Sequence, residues 1–171
     1  MSSQNPRALT LNHASAGIAL GSTSTHTIAT TTVVSINGVF ATAVSNAATQ
    51  ASPTTDWATG LAFRPLSPNK CTVIVIGQNL AGAIKMCQGS IVDTYPGVTT
   101  TKGDFKEFPQ FPALPDDFCP LSYALIRTAP SAAVWTPCTS SWTASGVFSG
   151  NNGTTTTTQV NGTLPERPMS A

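Results

Sequence analysis

A proline-rich segment constrains the fold of this chain more than any other feature of its sequence. Between Phe108 and Leu121, just before an apolar run, the chain has four prolines: Pro109, Pro112, Pro115 and Pro120. Proline fixes φ and removes an amide donor, so neither a helix nor a central strand is expected to run through the segment. The residue before each proline is pushed towards extended conformations. The sequence therefore predicts an ordered extended crossing that leads into a new strand at Leu121.

Two β-hairpins are predicted before this crossing. In HTIATTTVVSINGVFATAVSNA, the pair Asn37-Gly38 lies between β-branched, partly alternating runs, which is the strongest short-range hairpin signal. In CTVIVIGQNLAGAIKMCQGSIV, residues 71–76 form a nearly continuous apolar run, typical of a strand covered on both faces. No window has a helical period with caps. We therefore expect an all-β chain, folded as a β-sandwich or a jelly roll.

The sequence divides into three expected parts. Residues 1–24 are polar, contain Pro6 and show no sustained period, so we expect an extended N-terminal arm there. Residues 25–149 are expected to form the sandwich, with SWTASGVFS as a last short strand. Residues 150–171 are rich in Gly, Asn and Thr and are expected to form a short tail. The charged segment at 93–107 is expected to be a loop that faces solvent.

Composition excludes several partners. Charged residues make up 9% of the chain and the net charge is +1, without a run of Lys or Arg. Binding to a phosphate backbone needs several basic groups on one face, so no nucleic-acid partner is expected. No apolar run reaches the length of a transmembrane helix. The N-terminus also lacks the apolar stretch of a secretory signal. We therefore expect a protein made in a cytoplasm, with no membrane partner.

The few charges are unevenly placed. No Asp, Glu, Lys or Arg occurs between Ala8 and Ser52, whereas Lys85 to Asp117 holds more than half of all charged residues. A soluble monomer normally disperses its charge. An uncharged third of a chain is expected either to pack against other subunits or to be solvated by its Ser and Thr hydroxyls, and the sequence leaves these two interpretations open.

The cysteines are interpreted as small core residues. The four cysteines, Cys71, Cys87, Cys119 and Cys138, match no zinc-binding or redox spacing. Synthesis in a cytoplasm favours reduced thiols, and free cysteine is among the most buried residue types. Pairing of Cys71 with Cys87 across the second hairpin is the alternative.

Motifs for catalysis, metals and nucleotides were sought. The chain has no G-x-S-x-G, Walker, Rossmann, HxxxH or EF-hand pattern. Asp116-Asp117 is the only adjacent carboxylate pair, and neighbouring side chains on an extended chain point to opposite sides. An enzyme would need His13 or His26 to meet a nucleophile and an acid through space. We therefore expect a non-enzyme with no catalytic residue, cofactor or metal.

The order of several segments resembles bacteriophage virion proteins of the head-decoration, cement or head-fibre type. These segments are the second hairpin, the charged loop, FPALPDDFCPLSYALIRT, Trp135 and Gly146-Val147-Phe148, within about residues 54–149. The resemblance implies a non-enzymatic β-domain, commonly trimeric, which sits on the capsid surface and clamps neighbouring major capsid subunits. The chain departs from the pattern in its four cysteines and in lacking a coiled-coil or collagen-like shaft. These departures favour a compact decoration protein over a long fibre.

Candidate contacts with partners lie in the arm and on exposed aromatic residues. They are Arg7, Leu9, Leu11, Trp57, Phe105 and Phe108. For Phe111 and Phe118, packing on the chain's own sheet is at least as consistent with the sequence. The alternative functions are a tail-fibre, spike or neck component, and a carbohydrate-binding host-attachment module that would use exposed tryptophans.

Overall fold

The computed structural model describes residues 9–150 and 157–160, and this part of the chain is all-β, as expected. It contains twelve strands and no α-helix. The strands are β1 Leu11–Asn12, β2 Ile18–Leu20, β3 Thr25–Ile28, β4 Val34–Ile36, β5 Val39–Phe40, β6 Ala47–Ala51, β7 Lys70–Asn79, β8 Ile84–Gln88, β9 Val92–Asp93, β10 Phe118–Thr128, β11 Val147–Ser149 and β12 Thr158–Gln159. They form three antiparallel sheets in a sandwich-like arrangement. The finer expectation of a jelly roll stays a prediction.

The central sheet contains the two longest strands. Its order is β11-β10-β7-β8, with β12 also paired to β10 and β9 to β7. The predicted second hairpin is β7–β8, in which Val75 pairs with Cys87. Residues 71–76 are fully buried, which confirms that this apolar run is covered on both faces.

Strand β10 corrects one prediction about the proline crossing. The strand begins at Phe118 instead of Leu121, and Pro120 lies inside it. Leu121 is an extra residue at a register shift, because Pro120 pairs with Gly77 and Ser122 pairs with the next residue of β7, Ile76. A β-bulge is one of the few places where a sheet accommodates a proline, because the ladder is already interrupted there.

Two three-stranded sheets contain the N-terminal third of the described residues. Their orders are β1-β4-β5 and β2-β3-β6. Asn37 and Gly38 have φ of 53° and 81°, as a two-residue type I′ turn requires. The predicted hairpin is therefore confirmed, but only β4 and β5 belong to it. The long run before the turn divides between the two sheets, with β3 in one and β4 in the other.

Residues 9–24 do not extend away as an arm. They contain β1, which pairs with β4, and β2, which pairs with β3. Ile18 and Leu20 are at most 3% exposed and belong to the main core. Strands of two or three residues are too short to show a period in the sequence, so the pattern predicts an arm where the structure has strands. Residues 1–8, with Pro6 and Arg7, lie outside the described residues.

The described part of the tail, residues 157–160, also belongs to the fold. Gly150 donates to the carbonyl of Leu125, and Thr158 pairs with Tyr123, so β11 and β12 follow one another along the same edge of β10. The side-chain amide of Gln159 accepts a hydrogen bond from the backbone N–H of Ile18 and donates one to the backbone carbonyl of the same residue. Asn12 Nδ2 donates to the carbonyl of Val160 at 2.9 Å. The segment thus joins β10 to the N-terminal strands, and the remaining tail residues lie outside the description.

The proline crossing covers one face of the central sheet. The opposite face packs against the two small sheets in a single core cluster. On the crossing's side, Val73, Val75 and Tyr123 are covered by Phe111 and Leu114 of the crossing, together with Trp57 and Ala58. Phe111 meets Tyr123 edge-on, with ring centroids 5.1 Å apart. The crossing therefore serves as the second layer on this side of the sheet.

Candidate interaction surface

An apolar patch covers the outer side of the β1-β4-β5 sheet. Leu11 and Phe40 both stand opposite Ser35 in the ladder, so all three side chains point to the same side. Val33 lies two residues before Ser35 and shares that side. Exposed fractions are 46% for Leu9, 37% for Leu11, 42% for Val33 and 72% for Phe40. We call these four residues the outer face.

The polar groups within the outer face are bonded to one another. His13 Nε2 lies 3.1 Å from Ser35 Oγ, and Ser35 Oγ donates to the carbonyl of Leu9 at 3.3 Å. The His13 ring also lies against Phe40, with centroids 5.5 Å apart. Because Ala8 to Ser52 contains no Asp, Glu, Lys or Arg, none of the four residues of the outer face carries a formal charge.

The Asn37-Gly38 turn anchors the edge of this surface. The Asn37 amide donates to Thr10 Oγ1 at 3.1 Å, and the Gly38 amide donates to the carbonyl of Leu9 at 3.1 Å. Asn37 Nδ2 donates to the carbonyl of Asp116 at 3.2 Å. The hairpin is therefore tied both to β1 and to the end of the proline crossing, and the outer face rests on a fixed scaffold.

The residues predicted to contact partners lie in separate parts of the structure. Leu9 and Leu11 lie together in the outer face. Phe105 is half-buried between the Arg127 guanidinium, 4.4 Å from its ring, and the Phe108 ring, 4.7 Å away. Phe108 is 41% exposed. Arg7 lies outside the described residues.

Trp57 is half-buried and held by two neighbouring charges. Its Nε1 donates to Asp117 Oδ1 at 3.2 Å, and Lys85 Nζ lies 4.2 Å from the ring centroid. Trp135 and Trp142 are at most 1% exposed, with their ring centroids 5.3 Å apart in the main core. These two tryptophans therefore have no surface on which a sugar ring could stack.

Sequence analysis missed Phe40, the most exposed member of the outer face. A signal for it was present. In a two-residue hairpin turn at Asn37-Gly38, Phe40 must stand opposite Ser35, on the side away from Ile36. The side of the sheet that faces the core could not be read from the sequence, because neither side of this run is strongly apolar.

Each histidine is bonded to a serine hydroxyl. His13 meets Ser35, and His26 Nδ1 lies 3.3 Å from Ser52 Oγ. In a catalytic triad the imidazole meets a serine on one nitrogen and a carboxylate on the other. Among the described residues, the hydrogen bonds of these two rings go to Ser35 and Ser52 and none goes to a carboxylate. Burial lowers the pKa of His26, which favours its neutral form.

The cysteines are free and buried. Burial raises the pKa of Cys71, Cys87 and Cys119 to about 12 and raises the pKa of Cys138 as well, so the thiols stay protonated. A protonated thiol is a poor nucleophile and metal ligand. No cluster of His, Cys, Asp and Glu suited to a metal ion occurs in residues 9–150 and 157–160.

The charged loop after β9 is partly exposed, with Tyr95 57% and Val98 79% accessible. At its base, Lys70 and Asp93 form an ion pair, which holds the pKa of Asp93 below its ordinary value. Across the described chain, no helix has the length and apolar character needed to cross a membrane.

No protein-family model, curated protein or solved structure matches this chain. The resemblance to phage decoration proteins therefore stays a prediction, and the surface itself has to support any functional assignment.

Proposed function

We propose that this chain is a non-enzymatic structural protein of a phage virion, which decorates or cements the capsid. In this proposal it is a homo-oligomer, a trimer as the resemblance implies, bound on the capsid surface where it bridges major capsid protein subunits. The observation that carries the proposal is the outer face, a fixed apolar surface without formal charge and with Phe40 72% exposed.

The composition of the outer face is typical of a protein contact. The cores of protein interfaces are depleted in charged residues and enriched in aromatic residues. Contiguous exposed apolar patches on soluble proteins mark contact sites more often than chance exposure does. The sequence left open whether Ser and Thr hydroxyls solvate the uncharged third. The presence of Leu, Val and Phe on this side favours subunit contact.

Several copies of the outer face in one oligomer are together sufficient for tight binding. A patch of four apolar residues supports only a modest contact by itself. When several copies in one oligomer bind to a repeating lattice, each later contact forms at a high effective concentration, and the overall affinity exceeds that of any single contact. This mechanism requires no catalytic group.

The same surface suits a tail-fibre, spike or neck component, and a trimer that does not bind undecorated capsids in the experiment below would favour one of these positions. The carbohydrate-binding alternative has less support, because Trp135 and Trp142 are buried and Lys85 lies over the Trp57 ring.

Analytical ultracentrifugation of the purified chain with undecorated capsids tests the proposal. The variant Phe40→Ser with Leu11→Ser removes apolar area from the outer face. We expect a trimer that binds capsids, and about a 30-fold loss of capsid affinity in the variant, since central aromatic contacts typically contribute about 2 kcal/mol or more. Val134→Ser is the matched control, because Val134 is 64% exposed and lies outside the outer face.

Deleting residues 1–24 would not test the contact, because it would also remove Ile18 and Leu20 from the core. A monomer that ignores capsids would overturn the proposal. Binding of that monomer to a glycan array would then support the host-attachment alternative.

A further inference from the structure

Strand β6 has a single neighbouring strand, β3, among residues 9–150 and 157–160, and so forms an open end of the β2-β3-β6 sheet. Four of its five residues, Ala48 to Ala51, are exposed. An edge strand presents a row of backbone donors and acceptors that can pair with another chain.

The ladder with β3 determines which backbone groups of β6 face outward. Ser52 N donates to the carbonyl of Ser24 at 3.1 Å, so these residues form a hydrogen-bonded pair. Bonded and non-bonded pairs alternate along an antiparallel ladder, so the next bonded pair is Gln50 with His26. Ala51 therefore directs both its amide and its carbonyl away from β3. The Thr49 carbonyl also points away, because it lies in the same trans peptide group as the Gln50 amide, which points towards β3. The alternation ends there, since the register shifts between the His26 and Ile28 pairs.

Natural sheet edges are usually blocked by lysine, by other charges, by proline or by β-bulges. The segment NAATQAS, residues 46–52, contains no charge and no proline, and the register shift opposite residues 48–49 is its one irregularity. The central sheet differs, since β8 carries Lys85 on one of its edges and Asp93 of β9 is paired with Lys70. The small side chains of β6 also leave room for another strand to approach.

We propose that β6 pairs with β6 of a second copy of this chain, antiparallel and across a two-fold axis. In this register Thr49 stands opposite Ala51 of the partner subunit, and Ala51 stands opposite Thr49 of the partner subunit. The outward amide of Ala51 then donates to the outward carbonyl of Thr49 in the other copy, and the two-fold axis generates the same bond a second time. Gln50 lies on the axis and faces its own counterpart.

A second copy fits this edge for two reasons. An antiparallel strand is complementary to itself about a two-fold axis, so one sequence supplies both sides of the ladder. The segment carries no charge, so two copies meet without repulsion between like charges, whereas a charged partner strand would leave its charges unpaired. The inference does not depend on the capsid role.

Cysteine cross-linking tests the register. A cysteine at Gln50 would face its counterpart across a non-bonded pair, with Cα atoms about 4.5 Å apart, within the range of a disulfide. We expect Gln50→Cys to form covalent dimers under mild oxidation, at least tenfold more than Ser45→Cys. Position 45 is exposed but lies far from its own counterpart in this register. The native thiols are buried and do not compete.

Equal cross-linking of the two variants, or none at Gln50→Cys, would overturn the register. A second measurement requires no engineered thiol. The amide of Ala51 should gain protection from hydrogen exchange as the wild-type concentration rises, while the amide of Val98 should not. Unchanged exchange at Ala51, at concentrations where sedimentation shows association, would overturn the use of this edge.

A backbone variant gives an independent check. Ala51→Pro removes an outward donor that the β3 ladder does not use, so the fold should persist while pairing is lost. Ala51→Val keeps the amide and should pair like the wild type. If Ala51→Pro does not fold, Ala51→Lys places a charge on the edge instead. A folded Ala51→Pro or Ala51→Lys variant that pairs normally would overturn the inference.

The two proposals can fail separately. Strand pairing doubles the mass of whatever assembly the outer face forms, giving dimers from monomers or hexamers from trimers. If the protein does not bind capsids but its β6 strands still pair, only the proposed function is overturned. Capsid binding by a wild type that never doubles its mass would remove only the strand contact.

Discussion

At the scale of single residues, Gly77 determines how closely the two longest strands approach. It stands opposite Pro120 in the ladder. A Cβ at this position would overlap the carbonyl oxygen of Cys119 and the ring of Phe118. The missing side chain thus creates the space in which β10 forms its bulge. Gly77 and Pro120 lie far apart in sequence, so their dependence on each other is visible only in the fold.

We expect Gly77→Ala to destabilise the protein by about 3 kcal/mol, because overpacking against backbone atoms cannot be relieved by moving a flexible side chain. Gly60→Ala is the control, since Gly60 has φ of 71° but no atom within 4 Å of an added Cβ. Gly60→Ala should lower the free energy of unfolding by only about 1 kcal/mol, because of backbone strain. Urea unfolding of both variants measures the difference, and equal losses would contradict a steric role for Gly77.

His26 makes stability depend on pH. It is 1% exposed, and its Nε2 has no hydrogen-bond partner among the described residues. Burial lowers its pKa in the folded state, whereas the unfolded chain titrates near the ordinary value of about 6.5. Below that pH the unfolded state binds more protons. Stability should therefore fall as pH drops below about 6.5, by at most about 1.4 kcal/mol per unit.

His26→Asn can keep a hydrogen bond to Ser52 while removing the titration, so its stability should vary less between pH 7.5 and pH 5. His13→Asn, at an exposed position, should keep the wild-type pH dependence. Urea midpoints at the two pH values provide the measurement. If the urea midpoint of His26→Asn falls between pH 7.5 and pH 5 as much as that of the wild type, groups other than His26 cause the pH dependence of stability.

At the scale of elements, an irregular segment replaces a sheet as one layer of the fold. The proline crossing binds the loop before it through Gln110, whose amide donates to Ser90 Oγ at 2.7 Å and whose carbonyl accepts from Ser90 N at 3.1 Å. Proline restricts the crossing before folding, so ordering it costs less conformational entropy than ordering a flexible loop of equal length. A segment without regular structure can therefore cover a sheet face.

Phe111→Ala should destabilise the protein by about 2 kcal/mol, less than for a fully buried phenylalanine because Phe111 is only half-buried. Phe108→Ala, at a 41% exposed position, should lose less than about 1 kcal/mol. Thermal unfolding of both variants compares the two aromatic residues. Equal losses would mean that the crossing does not seal the sheet through Phe111.

Sequence patterns identified the elements with strong local signals. Residues 71–76 and the Asn37-Gly38 turn were predicted because burial on both faces and positive φ each leave a mark in a few adjacent residues. The strands β1 and β2 were missed because each has at most three residues. The place of Pro120 inside β10 depends on Gly77, a partner distant in sequence. For the outer face, Leu9 and Leu11 were named while Phe40 was missed, because the buried side of that sheet was not evident.

At the scale of the whole molecule, chemical labelling of the four cysteine thiols measures unfolding of the entire protein. Each is buried, and burial keeps it protonated. We expect iodoacetamide to leave the native protein unmodified and to label all four cysteines in urea, because the thiolate is the reactive form and needs access to the reagent. Mass spectrometry after timed labelling provides the measurement. Fast labelling of a single cysteine in native buffer would reveal local opening at that site.

The bonds from residues 157–160 to Asn12 and Ile18 have a consequence for synthesis. During synthesis, strands β1 and β2 cannot form these hydrogen bonds until their partners have been made, since the bonds join positions 148 and 141 residues apart. Contacts between such distant positions slow folding, because the chain must close a large loop before it gains their energy. Strands β1 and β2 therefore stay without these partners until residues 159 and 160 have been synthesised.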